Sequence, residues 1–240
     1  MQTDSSRAWR GRRVVVTGGS AGLGLALSRA LAARGAKVGI VARDAARVAE
    51  VERASEGAIA GVAGDVSDKD AIHRIAMELV ARLGGVDVLV HNASSLGPVP
   101  LRPLADTECE DLERALATNV LGPHRLTRAL LGPLASAARE ERGALVLSVS
   151  SDAAINAYAG WGAYGASKAA LAHATRIWDA EMRAAHGVAF LSIDPGDMDT
   201  ELHELALPGS DRSQLKRPED AARELIGVME RELASLGRAS

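Results

Sequence analysis

Six short apolar segments rich in valine, isoleucine and leucine recur along the chain. Each is nearly continuous rather than alternating, which is typical of a strand buried on both faces of a parallel sheet. The predicted strands are residues 14–16, 38–41, 59–62, 86–90, 145–149 and 188–193. Segments with helical spacing lie between them, at residues 23–34, 45–54, 71–83, 112–138 and 166–185.

This alternation of strands and helices predicts the fold class. Parallel neighbours need crossover connections, and right-handed crossovers place helices on both sides of the sheet. We therefore expect an α/β protein, a single-domain doubly wound Rossmann fold with a parallel sheet. Residues 1–12 are expected to form a flexible N-terminus and residues 13–240 the catalytic domain. The least patterned stretch, 197–217, contains Pro208, Gly209 and Ser210 and is expected to be a substrate lid.

Composition and charge exclude several classes of function. The chain has 28 basic and 31 acidic residues, so no excess of positive charge is present to bind nucleic acid. No apolar run approaches the length of a membrane-spanning helix, and none follows the N-terminal arginines. The single cysteine excludes an internal disulfide, and the six histidines show no metal-ligand spacing. We therefore expect a cytoplasmic protein without a metal, a membrane anchor or a nucleic-acid partner.

The segment after the first predicted strand, residues 17–24, is rich in glycine and opens directly into a helix. At such a turn, backbone N–H groups and the positive end of the helix can bind a pyrophosphate. Gly18 and Gly22 permit a tight turn close to the phosphates, and Gly24 permits the helix to pack on the sheet. The glycines alone are equally typical of an ordinary turn, and the strand before and helix after them favour dinucleotide binding.

The end of the second predicted strand bears on the choice of cofactor. A Rossmann domain that binds NAD places an acid there for the ribose 2′-hydroxyl, but this chain has Ala42 followed by Arg43. An arginine can bind a 2′-phosphate, so NADP(H) is favoured, with NAD(H) as the alternative. Asp44 would supply the acid if the strand ended two residues later, and a solvated surface charge is the alternative for Arg43. Asp65, after the third strand, is a candidate for the adenine amino group or for capping the next helix.

Tyr164 and Lys168 stand four residues apart in a helical segment, so their side chains share one face. An ammonium one turn from a phenol favours the phenolate and would lower the tyrosine pKa from its ordinary value of about 10. The pair indicates acid–base chemistry on a substrate oxygen. For an isolated pair, chance placement on a helix surface would be the alternative.

Taken with these residues, four further motifs make the chain resemble the short-chain dehydrogenase/reductase family from Val14 to about Glu230. The motifs are Asp65-Val66, residues 91–94 (His-Asn-Ala-Ser), residues 119–122 (Asn-Val-Leu-Gly) and the segment 194–200. Two departures stand out. His91 and Ser94 replace the outer residues of the family's Asn-Asn-Ala-Gly motif, so both would change the edge of the cofactor pocket. Residues 234–240 offer no apolar run for the family's seventh strand, so we expect six strands or seven.

The resemblance implies a catalytic set. Tyr164 would be the acid–base group, and Lys168 would lower the pKa of that phenol and hold the nicotinamide ribose. Ser151 would polarise the substrate carbonyl, and Asn119 would complete a proton relay. The cofactor-binding residues, with Tyr164 and Lys168, would be Gly18, Ser20, Gly22, Leu23, Gly24, Arg43, Asp65, Val66, Asn92, Ala93, Pro195, Gly196, Met198 and Thr200.

Position relative to these residues suggests the substrate contacts. Ser151 and Tyr164 would hold the substrate, and Tyr158 and Trp161 lie between them in the chain. Either aromatic side chain could stack on a substrate ring, with the ordering of a surface loop as the alternative.

By resemblance, the chain is an NADP-dependent oxidoreductase that transfers a hydride between nicotinamide C4 and a small carbonyl or alcohol substrate. A carbonyl reductase is favoured. Three alternatives remain: a non-catalytic NADP(H) sensor, an NAD-dependent alcohol dehydrogenase, and a lyase or epimerase on the same scaffold. The resemblance also implies a homodimer through the helices of residues 112–138 and 166–185, or a homotetramer, which a missing seventh strand would disfavour.

Overall fold

Residues 8–237 of the 240-residue chain are described by the structure, a computed structural model. The strands are β1 (Arg13–Thr17), β2 (Lys37–Ala42), β3 (Ile59–Ala63), β4 (Val88–His91), β5 (Ala144–Val149) and β6 (Val188–Ile193). They form one sheet in the order β3-β2-β1-β4-β5-β6, and all neighbours are parallel. The predicted doubly wound fold is confirmed, with six strands in the described chain.

Helices connect the strands and cover the sheet. The helices of the described chain are α1 (Gly22–Ala32), α2 (Ala45–Ala54), α3 (Ile72–Leu83), α4 (Cys109–Leu116), α5 (Gly122–Arg139), α6 (Gly162–His186), α7 (Glu201–Ala206) and α8 (Pro218–Leu236). Short 3₁₀ turns lie at Leu104–Asp106 and Asp152–Ala154, and a π turn at Ala117–Leu121 joins α4 to α5.

The side chains of β1 alternate between two buried clusters. Val14 and Val16 lie in one cluster with residues of α1 and α8, whereas Val15 lies in another with residues of α3 and α5. Helices therefore cover both faces of the sheet. This explains why the strand sequences are continuously apolar rather than alternating.

The single helix predicted over residues 112–138 is two helices joined by a π turn. In a regular α-helix, the N–H of residue 123 would donate to the carbonyl of Asn119. Pro123 has no N–H, so the regular pattern cannot continue there, although the same proline suits the first turn of α5. The π turn places Asn119 in the buried interior.

The prediction of a flexible N-terminus over residues 1–12 is wrong for residues 8–12. Trp9 is fully buried in the core, and its indole Nε1 donates to a carboxylate oxygen of Glu230 on α8 at 2.7 Å. Arg12 donates to the carbonyl of Ala8 at 2.7 Å. A single large apolar side chain thus holds this segment on the domain, and its burial has no periodic signal in a polar stretch. Residues 1–7 lie outside the described residues.

The expected lid, residues 197–217, contains α7, and the two ends of the segment are hydrogen-bonded to each other. Met198 and Lys216 form a parallel bridge there. The N–H of Asp199 donates to the carbonyl of Lys216 at 2.9 Å, and the N–H of Lys216 donates to the carbonyl of Asp197 at 3.0 Å. The base of the lid therefore has a regular backbone structure rather than being an open loop.

The strand order reverses direction between β1 and β4. In open α/β sheets, ligands bind outside the carboxyl ends of the strands at such a switch point. The fold therefore places the candidate site beyond Thr17 and His91. In the described part of the chain, no helix combines the length and apolar character needed to cross a membrane.

Candidate functional site

A cavity of about 850 Å³ opens at the carboxyl ends of the strands. Most predicted site residues line it: Gly18, Ser20, Gly22, Leu23, Arg43, Asp65, Val66, Asn92, Ala93, Ser151, Trp161, Tyr164, Lys168, Pro195, Gly196, Met198 and Thr200. Gly24, Asn119 and Tyr158 are not among its lining residues. One cavity thus joins the glycine loop to the predicted catalytic side chains.

The glycine loop has no room for side chains. Gly18 and Gly22 have φ values of 66° and 48°, which favour glycine. A Cβ on Gly24 would lie 2.2 Å from the Gly18 carbonyl oxygen. Ala21, at the N-cap of α1, offers no side-chain acceptor to the first N–H groups of that helix. These N–H groups fit a pyrophosphate, which is the group that a dinucleotide would place there.

Thr17 and Asn92 hold the glycine loop against β4. The Thr17 hydroxyl accepts from the N–H groups of Asn92 and Ala93, at 3.0 and 3.1 Å. The Asn92 amide donates to the Thr17 carbonyl at 3.0 Å. Asn92 therefore acts on the loop backbone, which fixes the spacing between the two strands at the switch point.

Arg43 and Asp44, which follow β2, both line the cavity, and Asp44 is engaged by the next helix. β2 ends at Ala42, and the carboxylate of Asp44 accepts from the N–H of Arg47 at 3.0 Å, so it caps α2. Arg43 is exposed and lines the cavity, and within residues 8–237 its side chain has no hydrogen bond or ion pair. The alternative in which Asp44 binds the 2′-hydroxyl is thereby less well supported.

Asp65 lines the same end of the cavity. Its Oδ1 accepts from the N–H and hydroxyl of Ser67, at 2.8 and 2.7 Å. The carboxylate therefore orders the turn after β3, and contact with adenine stays a prediction.

Tyr164 lies in the first turn of α6 with only 7% of its surface exposed. Burial raises its pKa above the ordinary value. Hydrogen bonds with Ser151 and Ser94 oppose this shift, while the charges of Asp194 and Asp152 add to it. The sequence argument expected a lowered pKa, and this is wrong for the structure, because the phenol loses more stabilisation of its charged form by leaving water than its neighbours restore.

Lys168 lies beside Tyr164, as the four-residue spacing predicted. Its Nζ is buried, donates to the Val149 carbonyl at 2.8 Å and lies 5.5 Å from the centre of the Tyr164 ring. Burial lowers the pKa of Lys168 to about 8, and the charge of Asp194 opposes the shift. Lys168 therefore titrates close to neutral pH.

Ser151 belongs to a small network at the edge of the cavity. Its hydroxyl donates to Asp152 Oδ1 at 3.1 Å, and the Tyr158 hydroxyl donates to Asp152 Oδ2 at 2.7 Å. Tyr158 lies outside the cavity lining and orders this loop, which is the alternative foreseen for it. Trp161 does line the cavity and packs edge-on against Tyr164, with ring centres 5.7 Å apart.

Asn119 is buried, and both ends of its side-chain amide form hydrogen bonds within the protein. Its Oδ1 accepts from the N–H of Ser95 at 2.8 Å, and its Nδ2 donates to the Ser95 carbonyl and the Ser167 hydroxyl, both at 2.8 Å. The side chain thus ties the loop after β4 to α6. The proton relay predicted for Asn119 stays a prediction.

The two departures from the family motif have different consequences. Ser94 lines the cavity, and its hydroxyl bonds to Tyr164 and lies 3.4 Å from Asn119 Oδ1. His91 is buried, with Nε2 2.8 Å from Thr127 Oγ1, and burial lowers its pKa to about 3. His91 is therefore neutral and away from the cavity, contrary to the expectation that it edges the cofactor pocket.

The sequence argument gave no individual role to Asp194, Arg47 or Glu201, which line the cavity. Asp194 accepts from the Gly196 N–H at 2.9 Å, and its charge acts on both Lys168 and Tyr164. Arg47 and Glu201 line the adenosine end and lie 3.1 Å apart. No local pattern marks this pair, because 154 residues separate its members.

A glycine loop and a buried Tyr–Lys pair with a neighbouring serine, in one cavity, are typical of dinucleotide-dependent oxidoreductases. A family model described as short chain dehydrogenase matches residues 12–209. The chain therefore belongs to the short-chain dehydrogenase family. The family is one of NAD(P)-binding oxidoreductases.

Individual relatives agree with this assignment. The chain is 36% identical over 199 residues to a short chain dehydrogenase of Pseudocercospora fijiensis, a match that covers 80% of this chain and 62% of that protein. The chain thus spans about three fifths of that relative's length.

Two solved structures share the fold. A short chain dehydrogenase from Shigella flexneri complexed with NADP has a TM-score of 0.83 and 25% identity, covering 92% of this chain and 91% of its own. A 3-ketoacyl-(acyl-carrier-protein) reductase from Brucella melitensis complexed with NADH has a TM-score of 0.82 and 25% identity, covering 90% of each chain. Both nicotinamide cofactors thus occur among its structural neighbours.

Proposed function

We propose that the chain reduces the carbonyl group of a small apolar molecule with NADPH, and that Tyr164 is the proton donor. The observation that carries the proposal is the group of Ser151 and the buried Tyr164 and Lys168 in the same cavity as the glycine loop. The bound cofactor supplies the hydride, and the protein supplies orientation and proton transfer.

The protonation state of Tyr164 supports the reductive direction. Its raised pKa means that the phenol keeps its proton at neutral pH, as a donor to a carbonyl oxygen must. The Ser151 hydroxyl beside it is a second donor that polarises the same oxygen. The Lys168 ammonium, close to the ring, stabilises the phenolate left after transfer. Alcohol oxidation would instead begin from a phenolate, which burial disfavours.

The end of β2 supports NADP(H) over NAD(H). Arg43 lines the cavity without a partner in the described chain, and Asp44 is engaged as the cap of α2. A 2′-phosphate would give Arg43 a charge-assisted partner, whereas a 2′-hydroxyl would not. NAD(H) remains the alternative, and a comparison of turnover with NADPH and with NADH distinguishes the two.

The substrate side of the cavity is apolar on one wall and acidic on the other. Leu96, Trp161, Leu202 and Ala206 surround Tyr164 in one cluster. The carboxylates in the lining near the catalytic residues are Asp152, Asp194 and Asp197. These apolar side chains and carboxylates together favour uncharged carbonyl compounds with an apolar or aromatic body, since the carboxylates would repel an anionic substrate.

The proposal is tested by NADPH consumption with a panel of diketones, quinones and aromatic ketones, with keto acids of matching size as the charged comparison. We expect turnover of the uncharged ketones and little of the keto acids. In Tyr164→Phe, kcat should fall by about 10²- to 10⁴-fold, because the proton donor is gone. NADPH binding, followed by its fluorescence, should be nearly unchanged. Tight binding of NADPH without any turnover would favour the sensor, and substrate loss without NADPH loss would favour a lyase or epimerase.

We further propose a cytoplasmic homodimer that associates through α5 and α6. Leu121, beside the start of α5, and Ile177, on α6, are apolar side chains that are 43% and 47% exposed. Burying them in a dimer would remove apolar surface from water. Light scattering after size exclusion should give the mass of a dimer, or of a tetramer if a second interface forms, and Ile177→Glu should lower that mass.

A further inference from the structure

One ion pair connects the lid to the opposite wall of the cavity. Glu201 is the first residue of α7, and its Oε2 lies 3.1 Å from a terminal guanidinium nitrogen of Arg47 on α2. Both residues line the cavity. Their side chains are 68% and 53% exposed, so the pair stands at the mouth of the cavity rather than in its interior.

Arg47 lies at the end of the cavity where a Rossmann fold binds the adenosine ribose, one turn of helix beyond Arg43. Asp44, the cap of α2, also lies 3.5 Å from Arg47 Nε. The guanidinium is therefore held between two carboxylates, one on its own helix and one on the lid. Only the contact with Glu201 crosses the cavity.

We propose that Arg47 exchanges Glu201 for the 2′-phosphate of NADP(H), so that Arg47 is a second specificity-determining cation and Glu201 a counterion that the phosphate displaces. This inference rests on the proposed use of NADP(H). A phosphate offers a guanidinium more charge and more acceptor oxygens than a carboxylate does. An exposed ion pair is easily exchanged.

NAD(H) would leave the pair in place, because a neutral 2′-hydroxyl cannot compete with a carboxylate for the guanidinium. The cofactor preference is then set by two arginines rather than by Arg43 alone. The pair with Glu201 opposes phosphate binding in the free protein, so removing this carboxylate should strengthen binding of the phosphate.

The rest of the lid does not depend on this pair. Its base is held by the bridge between Met198 and Lys216, and Leu202 and Ala206 of α7 pack in the apolar cluster around Tyr164. A neutral glutamine in place of the exposed Glu201 therefore leaves these contacts intact. Thermal unfolding of each variant verifies this.

The test is calorimetric titration with adenosine 2′,5′-bisphosphate and with 5′-AMP, which differ by the 2′-phosphate and contain no nicotinamide. Glu201→Gln should strengthen binding of the bisphosphate by about two- to fivefold, the range expected for an exposed pair. Arg47→Gln should weaken it by about tenfold, because a charged phosphate contact is lost. Binding of 5′-AMP should change little in either variant.

The double variant separates exchange from simple repulsion. If Glu201 acts by occupying Arg47, Glu201→Gln should have no effect once Arg47→Gln is present. Glu52→Gln is the matched control, since it removes the same charge from another exposed pair, Glu52 and Arg82 at 2.7 Å, away from the cavity lining. This control should leave both ligands unaffected.

Two results would overturn the inference while leaving the NADP preference intact. The first is that the wild-type protein prefers the bisphosphate but Glu201→Gln does not change its affinity for this ligand. The second is that Glu201→Gln strengthens bisphosphate binding just as much when Arg47→Gln is also present. Equal binding of the two ligands by the wild-type protein would instead refute the proposed NADP preference, and the exchange with it.

Discussion

At the residue scale, burial moves the pKa values of Tyr164 and Lys168 in opposite directions. The phenol keeps its proton more firmly, and the ammonium loses its proton more easily than in water. In each case the low-dielectric surroundings favour the neutral form. In the reductive direction, Tyr164 must be protonated and Lys168 must be charged to stabilise the phenolate, so Lys168 is the group whose titration limits the reaction.

The rate of carbonyl reduction should therefore fall at alkaline pH. We expect kcat/KM to be level below the pKa of Lys168, about 8, and to fall above it as the ammonium is lost. In Lys168→Arg the guanidinium does not titrate in this range, so the fall should move to higher pH in whatever activity remains. A rate that rises with pH through this region would contradict the assignment.

At the element scale, the turn from β1 to α1 depends on the absence of a side chain at Gly24. A Cβ there would lie 2.2 Å from the Gly18 carbonyl oxygen and 2.5 Å from Asn92 Nδ2. Backbone cannot move aside easily, so Gly24→Ala must displace the loop that would hold the pyrophosphate. We expect a loss of stability of about 1 to 3 kcal/mol and of most NADPH binding.

The matched control for Gly24→Ala is Gly132→Ala in the middle of α5. A Cβ on Gly132 would have no atom within 4 Å among the described residues other than its two chain neighbours and the nearby backbone of its own helix. Alanine is the better helix former, but Gly132 precedes Pro133, whose ring disfavours a Cβ on a helical neighbour. The two effects oppose each other, so this variant should change stability by less than about 1 kcal/mol. Urea unfolding and NADPH titration of both variants measure the difference. Similar behaviour of the two would show that the glycine loop is not tightly packed.

At the scale of the whole molecule, one buried carboxylate joins the amino ends of three strands. Asp87, just before β4, is fully buried and accepts from Arg13 on β1 and from Arg142 just before β5. Burial alone would raise the pKa of Asp87, but the hydrogen bonds from Arg142 and Arg13 bring it below the ordinary value. Asp87 therefore stabilises the folded state while it is charged.

Replacing Asp87 should destabilise the protein at neutral pH. We expect Asp87→Asn to cost about 3 kcal/mol, since two arginines lose their shared counterion. Because the folded pKa is depressed, this stabilisation is complete above the unfolded pKa of about 4 and is lost as pH falls through the folded value. In urea unfolding, the difference in the free energy of unfolding between wild type and variant should thus become smaller under acid conditions. A difference that does not change with pH would contradict a stabilising role for the Asp87 charge.

The strands and their parallel arrangement could be predicted from the sequence, and most of the predicted site residues do line the cavity. Continuous apolar runs identify buried strands, and the glycine loop and the Tyr164–Lys168 spacing are local patterns. What failed depends on tertiary contacts. The burial of Trp9 needs α8, the raised pKa of Tyr164 needs its surroundings, and the pair of Arg47 and Glu201 forms only when distant segments meet.

The central claim is that a hydride from NADPH reaches a substrate carbon while Tyr164 protonates the oxygen. Deuterium transfer from NADPH with both C4 hydrogens replaced by deuterium to a ketone found in the panel, measured by mass spectrometry of the alcohol, tests this most directly. The account predicts one deuterium per alcohol molecule with the wild-type protein and almost no alcohol with Tyr164→Phe. Alcohol without deuterium, or an equal yield of alcohol with the variant, would contradict it.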